Sequence, residues 1–374
     1  MNPTLRTLKG SLTKAGKRTE LFETGDGTRL LLLPYGARVV GLFGPADDES
    51  LYWANPALGS AKTARALFAR SGWHNTGGDR TWLAPELDVF FCDHPKAETY
   101  WQPRQLDMSD YEVHRVDGGI SMARPMSIHL GRTDCDVPLK LSKWLGPAAN
   151  PLRRERDLAR RLAGVQYAGY TQRTVLEIAD GARRAKSGGS AAQGGQHAGQ
   201  PRLGLWNLIQ LPPGGELFVP LYCRTRPQPC FGAIPERYLT IDDRMLRLKV
   251  RFGGSHKISL RAVPVCGRAG YVYRSGDRWS LVVRNLFVNP SGDYIDVQKS
   301  DPDDLGYAFQ VCRVDETEFG SFFELEYHAP AVGAPPDPAR SEDVSQVWSF
   351  RGTRGAIRAI AARLLGVERL SNLP

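Results

Sequence analysis

Apolar residues along this chain fall mostly into short runs separated by Gly- and Pro-rich turns, a pattern of strands rather than helices. Thr28 to Phe43, TRLLLLPYGARVVGLF, reads as an apolar strand, a PYG turn and a second strand. Further strands are predicted over Leu83–Phe91 after a Gly-Gly turn, and over Tyr111–Val116, Ile120–Ala123, Met126–Leu130 and Tyr167–Ile178. Strand signals then recur at Leu205–Gln210, Glu216–Tyr222, Leu246–Val250, Lys257–Val263, Gly270–Tyr273, Trp279–Phe287, Tyr307–Val314 and Ser321–Tyr327. Two segments have helical period. Pro151–Gly164, PLRRERDLARRLAG, sets Leu152, Leu158 and Leu162 on one side and five arginines elsewhere; Thr353–Leu365, TRGAIRAIAARLL, is amphipathic. Many short strands with few helices predict a mainly β protein, a sandwich or a curled sheet.

The same pattern organises the chain. Residues 1–20 read as an N-terminal extension, 21–335 as one β unit and 336–374 as a C-terminal helical tail. Ser187–Gln200, SGGSAAQGGQHAGQ, has the composition of a flexible loop, so 181–201 is expected to be an insertion within that unit, with His197 inside it.

Charge adds one question. The net charge of +9 brings nucleic acid to mind, but 38 of the 49 basic residues are Arg, scattered along the whole chain, and no nucleic-acid partner is expected. The six cysteines form no CxxC pair and read as buried free thiols in a reducing compartment. The basic first residues lack a following apolar run, and no segment approaches the roughly 18 apolar residues of a membrane helix. A cytoplasmic protein with no membrane partner is expected; its oligomeric state is not legible.

Chemistry concentrates in four stretches. In Ser321–Pro330, SFFELEYHAP, strand alternation places Phe322, Glu324, Glu326 and His328 on one face and Phe323, Leu325 and Tyr327 on the other. Such neighbours either line a binding cleft or form a buried ion-pair cluster with Arg80 or Lys257. Trp73–Phe91, WHNTGGDRTWLAPELDVFF, offers Asp79, Arg80, Trp82 and Glu86. Arg and carboxylates make forked hydrogen bonds to hydroxyl groups, and Trp presents a flat apolar face, a mix that suits a sugar. A Gly-turn hairpin with an Arg–Glu pair and a core Trp accounts for it equally well. LGLWNLIQLPPGG supplies Trp206, Asn207 and Gln210, which face a cleft or satisfy a turn, and SHKISL opens a strand with His256 and Lys257. There is no GxSxG, P-loop or HExxH motif and no GxGxxG after a first strand. No metal and no cofactor are expected.

Taken in order, PYGARVVGL, NPAL, GGDRTWLAPE, LGLWNLIQL and FELEYHAP resemble the galactose mutarotase-like superfamily, which includes aldose 1-epimerases and hexose-6-phosphate epimerases. The likeness is greatest to a bacterial branch with GGDRTW, WxxxQ, KI and ELE segments, and it spans roughly residues 28 to 332. It implies a β-supersandwich with a few peripheral helices and a sugar cleft on a concave face. It also implies a Glu that takes the proton of the anomeric hydroxyl and a His that protonates the ring oxygen. Glu326 or Glu324 fits the base, and repulsion between the two raises one pKa. Arg80 matches the sugar-holding Arg. The expected acid His precedes the aromatic-Asn-Leu segment, but that position here is about Leu203. His328 and His74 are then the candidate acids. The implied protein binds carbohydrate as a cofactor-independent epimerase or mutarotase acting on an aldose or oligosaccharide, with Asp79, Arg80, Trp82, Glu86, Trp206, Asn207, Gln210 and Lys257 holding substrate. The alternative, favoured by the missing His, is a glycan-binding module without turnover.

Overall fold

The strands flanking PYG are buried at nearly every residue, as happens when both faces of a strand are packed. In the computed structural model the described residues are 3–372 apart from 92, 94, 95, 159, 161, 180–182, 185–200 and 334–338, so the Ser187–Gln200 loop with His197 lies outside them. Strands along the first half are β1 (Glu20–Glu23), β2 (Arg29–Leu33), β3 (Arg38–Phe43), β4 (Asp79–Ala84), β5 (Glu112–Val116), β6 (Gly119–Leu130), β7 (Cys135–Pro147), β8 (Gln166–Ile178) and β9 (Arg183–Arg184). The second half holds β10 (Arg202–Leu211), β11 (Glu216–Pro220), β12 (Gln228–Phe231), β13 (Leu239–Ile241), β14 (Met245–Lys249), β15 (His256–Leu260) and β16 (Arg268–Ser275). It continues with β17 (Arg278–Asn285), β18 (Phe309–Glu316), β19 (Gly320–His328), β20 (Val332–Gly333) and β21 (Arg340–Gly352). The helices are α1 (Leu5–Lys14), α2 (Ala61–Phe68), the single turns α3 (Glu86–Val89) and α4 (Arg104–Asp107), and α5 (Arg354–Leu365).

Two antiparallel sheets make the body. One runs β1-β2-β3-β4-β10-β19-β18-β15-β12, and the other β13-β14-β11-β16-β17-β21-β8-β7-β6-β5. Their facing sides enclose the main apolar core, which includes Leu83, Leu205, Ile209, Leu325, Leu141 and Val347. The protein is mainly β, as expected. α5 lays Ile357, Ile360 and Leu365 on Phe218, Val272 and Leu281 of the second sheet. α1 and α2 cover Leu31 and Val40 of the first sheet with Leu8, Leu12 and Leu67. No described helix is long and apolar enough to cross a membrane.

The interior is not wholly apolar. Asp79 of β4 accepts hydrogen bonds from Arg284 and Tyr170, each at 2.5 Å, and lies 3.5 Å from Lys143. Tyr327 of β19 donates to Asp343 of β21 at 2.5 Å. Burial raises the Asp343 carboxyl to about 6, and burial lowers Lys143 to about 8. These groups tie β4 and β19 to the second sheet. They also explain why β21 escapes sequence reading. Its buried positions are Ser341, Asp343, Ser345, Val347, Ser349, Phe350 and Arg351, mostly polar, so no apolar alternation marks it.

The expected helical tail therefore needs correction: 340–352 is a strand between β17 and β8, and helix begins only at Arg354. The expected helix Pro151–Gly164 is also absent from the described residues, where turns and a short 3-10 stretch, Arg156–Leu158, stand instead. Asn150 caps a turn through Leu152 N–H, Leu152 and Leu162 pack separately into the α5 cluster, and Glu155 pairs with Arg363 at 2.8 Å. Tertiary contacts here override helical period. Leu83–Phe91 splits in two: β4 ends at Ala84, a cis bond leads to Pro85, and α3 follows. Ile120–Ala123 and Met126–Leu130 merge into β6.

Candidate functional site

The turn that launches β4 depends on two glycines. Gly77 and Gly78 have φ of 89° and 78°, and a Cβ at Gly78 would stand 2.1 Å from the Val39 carbonyl oxygen. Only glycine fits such a conformation and such an approach. From there β4, β10, β19, β18 and β15 lie side by side. Leu208 sits opposite both Arg80 and Glu326, Gln210 opposite Glu324, and Trp206 opposite both Trp82 and His328. Cys312 sits opposite Glu324, and Lys257 opposite Cys312. Directly paired residues project to the same side of a sheet. Arg80, Trp82, Trp206, Gln210, Glu324, Glu326, His328, Cys312 and Lys257 thus share the face turned away from the second sheet.

Each carboxylate has its own cation. Glu324 Oε1 accepts from Arg80 Nη2 at 2.8 Å and from Gln210 Nε2 at 2.9 Å. The Arg80 guanidinium lies over Trp82 and Trp73, 4.1 and 5.0 Å from their ring centres, in cation–π contact. Glu326 Oε2 accepts from Trp206 Nε1 at 3.0 Å and stands 3.3 Å from Lys257 Nζ. Lys257 also reaches Glu86 at 3.4 Å and lies 4.5 Å from the centre of the Trp206 ring. The other oxygen of each glutamate, Glu324 Oε2 and Glu326 Oε1, has no hydrogen-bond partner among the described residues.

Electrostatics separate the pair. Burial, opposed by Lys257 and reinforced by Glu324 and Glu86, pushes the Glu326 carboxyl up to about 8. With Oε2 receiving both donors, its proton belongs on Oε1. Burial alone would discharge Lys257, but Glu326 in its ionised form, together with Glu86 and Asp296, outweighs it and holds the ammonium well above its usual range. A neutral acid beside an ion-paired carboxylate is an arrangement able to give a proton at one oxygen of a ligand and take one at another.

His328 belongs to this face but is not a charged acid. Burial first, and Lys257 second, hold its imidazole well below the ordinary value. Nε2 faces Gln310 Oε1 at 3.0 Å and Asp296 Oδ2 at 3.7 Å, so it carries the hydrogen, and the ring stacks on Trp206 with centroids 5.3 Å apart. Gln310 donates to Asp296 at 2.7 Å, and Asp296 accepts the Glu86 backbone N–H at 2.8 Å.

Three expected residues lie elsewhere. Asp79 and Asn207 are one step out of phase with Arg80, Trp206 and Gln210, so alternation turns them to the interior. Asp79 is spent on Arg284, Tyr170 and Lys143, while Asn207 accepts from Thr81 at 2.7 Å and donates to Asp343 at 3.3 Å. His74 lies among Tyr35 and Phe68, with Nδ1 2.8 Å from Tyr35 Oη and Nε2 2.9 Å from the Arg70 carbonyl. Leu203, at the expected acid position, is buried and pairs with Val332. Sequence reasoning missed Trp73, Cys312, Gln310 and Asp296. Sheet order brings in Cys312 and Gln310 of β18, and Trp73 and Asp296 arrive on loops outside the strands.

Cys312, Glu324 and Glu326 place ligand atoms within 4.8 Å of one another. The set does not fit a cation. Arg80 and Lys257 already answer the two carboxylates, and burial, with Glu324 and Glu326, drives the Cys312 thiol well above its usual range, whereas a ligand must be thiolate.

No family model and no curated protein matches the sequence. Solved structures similar to this chain include a galactose mutarotase-like protein from Lactobacillus casei, at 11% identity and TM-score 0.47, covering 89% of this chain and 100% of that one. Galactose 1-epimerase from Lactobacillus acidophilus is similar at 11% identity and TM-score 0.39, over 89% of this chain and 94% of that one. An aldose epimerase homologue from C. elegans is similar at 8% identity and TM-score 0.38, over 90% and 99%.

Proposed function

We propose that the chain binds carbohydrate on the outer face of the first sheet and interconverts anomers of an aldose or of an oligosaccharide's reducing end without a cofactor. The observation that carries this reading is the unequal pair: Glu324 ion-paired to Arg80 and Glu326, whose carboxyl burial pushes up to about 8, each with one oxygen free of hydrogen bonds among the described residues. Glu324 takes the proton of the anomeric hydroxyl while Glu326 Oε1 gives its proton to the ring oxygen. The C1–ring oxygen bond breaks and the aldehyde forms. After rotation about the C1–C2 bond the ring oxygen attacks the other face, and both protons return. Gln210, Arg80 and Lys257 place donors beside the carboxylates. This assignment moves the acid from histidine to Glu326.

A glycan-binding module without turnover is favoured by one observation, the buried Leu203 where the resemblance implies an imidazole. Exchange NMR on a panel of free and phosphorylated aldoses separates the two. Accelerated α/β interconversion that disappears in Glu326→Gln and in Glu324→Gln supports turnover. Line broadening without interconversion supports the binding module, and no effect with any sugar overturns both.

A further inference from the structure

The aromatic side chains of the site do not stop at Trp82 and Trp206. Phe90 touches both, with ring centroids at 4.8 and 5.9 Å. Tyr100 lies parallel to Phe90, 5.9 Å away with the planes 5° apart, and meets Phe91 edge-on at 5.6 Å. Tyr100 and Trp101 are 39% and 38% exposed. The buried rings at the carboxylates thus lead stepwise through Phe90 to Tyr100, whose ring is open to solvent, and Trp101 follows it in the chain.

The segment carrying them is tied down from several sides. Phe91 and Tyr100 form a β-bridge, and Trp101 N–H donates to the Phe90 carbonyl at 2.9 Å. Asp93 accepts the backbone N–H groups of Glu98 and Thr99 at 3.1 and 2.9 Å. Lys299 donates to the Ala97 carbonyl at 2.6 Å while its ammonium stands 3.7 Å from the Phe91 ring centre. The Tyr100 hydroxyl donates to Gln102 at 2.9 Å. Although its ring is open, burial, with Glu86 next in weight, pushes the phenol well above its usual range. The Glu86 side chain, 34% exposed, shares that edge. Among the described residues Tyr222, Phe231 and Phe287 are also strongly exposed, but no ring contact joins them to the carboxylates.

Resting on the carbohydrate reading above, we propose that Tyr100 and Trp101 form a second sugar subsite, so that the substrate is a reducing oligosaccharide whose terminal unit lies at Glu326 and whose next unit stacks on this ledge. Flat, amphipathic, half-exposed rings beside a polar cleft are suited to the C–H face of a sugar. The site described above holds the reacting unit, and the ledge sets chain length.

The test is calorimetric titration and exchange NMR of the full chain with the free hexose, disaccharide and trisaccharide of the malto-, cello- and galacto- series. Wild type is expected to bind one disaccharide about tenfold more tightly than its hexose. Tyr100→Ala and Trp101→Ala should lose that gain while hexose binding stays within about twofold. Tyr100→Phe should retain it. Hexose binding with no gain from a second unit, or equal losses for both lengths in the Ala variants, overturns the ledge and leaves the carboxylate site standing. Absence of binding at every length overturns the carbohydrate reading as well.

Discussion

Glu324 and Glu326 stand two residues apart on one face of β19, yet different cations answer them: Arg80 at 2.8 Å for the first and Lys257 at 3.3 Å for the second. Arg80 is buried and its charge is matched at contact distance. Lys257 is shared with Glu86, and burial pushes the Glu326 carboxyl up to about 8. The candidate chemistry rests on this inequality.

The first consequence concerns stability. The folded Glu326 carboxyl, at about 8, lies above its ordinary value of 4.5. Below that lower value both folded and unfolded chains hold the proton. Between the two values the unfolded chain releases it and the folded chain keeps it. The stability linked to this group is therefore fully present at low pH and falls as pH rises through the window, with a slope of at most about 1.4 kcal/mol per pH unit. Urea unfolding of wild type and Glu326→Gln across this range should give a difference curve that falls with pH. A flat or rising difference contradicts the assignment.

Lys257 sets how far Glu326 is displaced, because its charge pulls the carboxyl down. Lys257→Met should move the alkaline limb of the pH–rate profile for anomer exchange to higher pH, by about one unit or more. A shift to lower pH would show that Lys257 acts some other way.

Arg80 is the counter-ion of a nearly buried carboxylate. Arg80→Met should cost about 3–5 kcal/mol in urea unfolding, because Glu324 is left without its cation, and adding Glu324→Gln should recover most of that loss. Equal destabilisation in single and double variants would mean that Arg80 serves by packing on Trp73 and Trp82 rather than by charge.

The neutral state of His328 makes a sharper claim. Its hydrogen-bearing nitrogen is occupied by Gln310, and the ring is held well below its usual pKa. His328→Gln should therefore keep anomer exchange within about tenfold of wild type. A loss of about a hundredfold or more, with folding intact by circular dichroism, would return the acid role to this imidazole.

The sequence carried the strand-rich class and the side of β19 on which the two glutamates lie, because apolar periodicity and strand alternation are local. Alternation also separates Asn207 from Trp206 and Gln210, and Asp79 from Arg80, once the strand bounds are known. What local pattern could not supply was sheet order. Cys312 and Lys257 reach Glu324 and Glu326 only because β18 and β15 follow β19 across the sheet, over sequence separations with no periodic signal. β21 was hidden because its inward residues serve a polar interior, and the Arg-rich helix expected before β8 gave way to turns that pack Leu152 and Leu162 on α5.

The most direct measurement is carbon-13 NMR of the protein labelled at glutamate carboxyl carbons, titrated with pH in the absence and presence of a reducing disaccharide. The account predicts one carboxyl resonance with a midpoint near 8, absent in Glu326→Gln, which moves when sugar is added. Glutamates that all titrate in the ordinary carboxylate range, or a high-pH resonance indifferent to sugar, would contradict it.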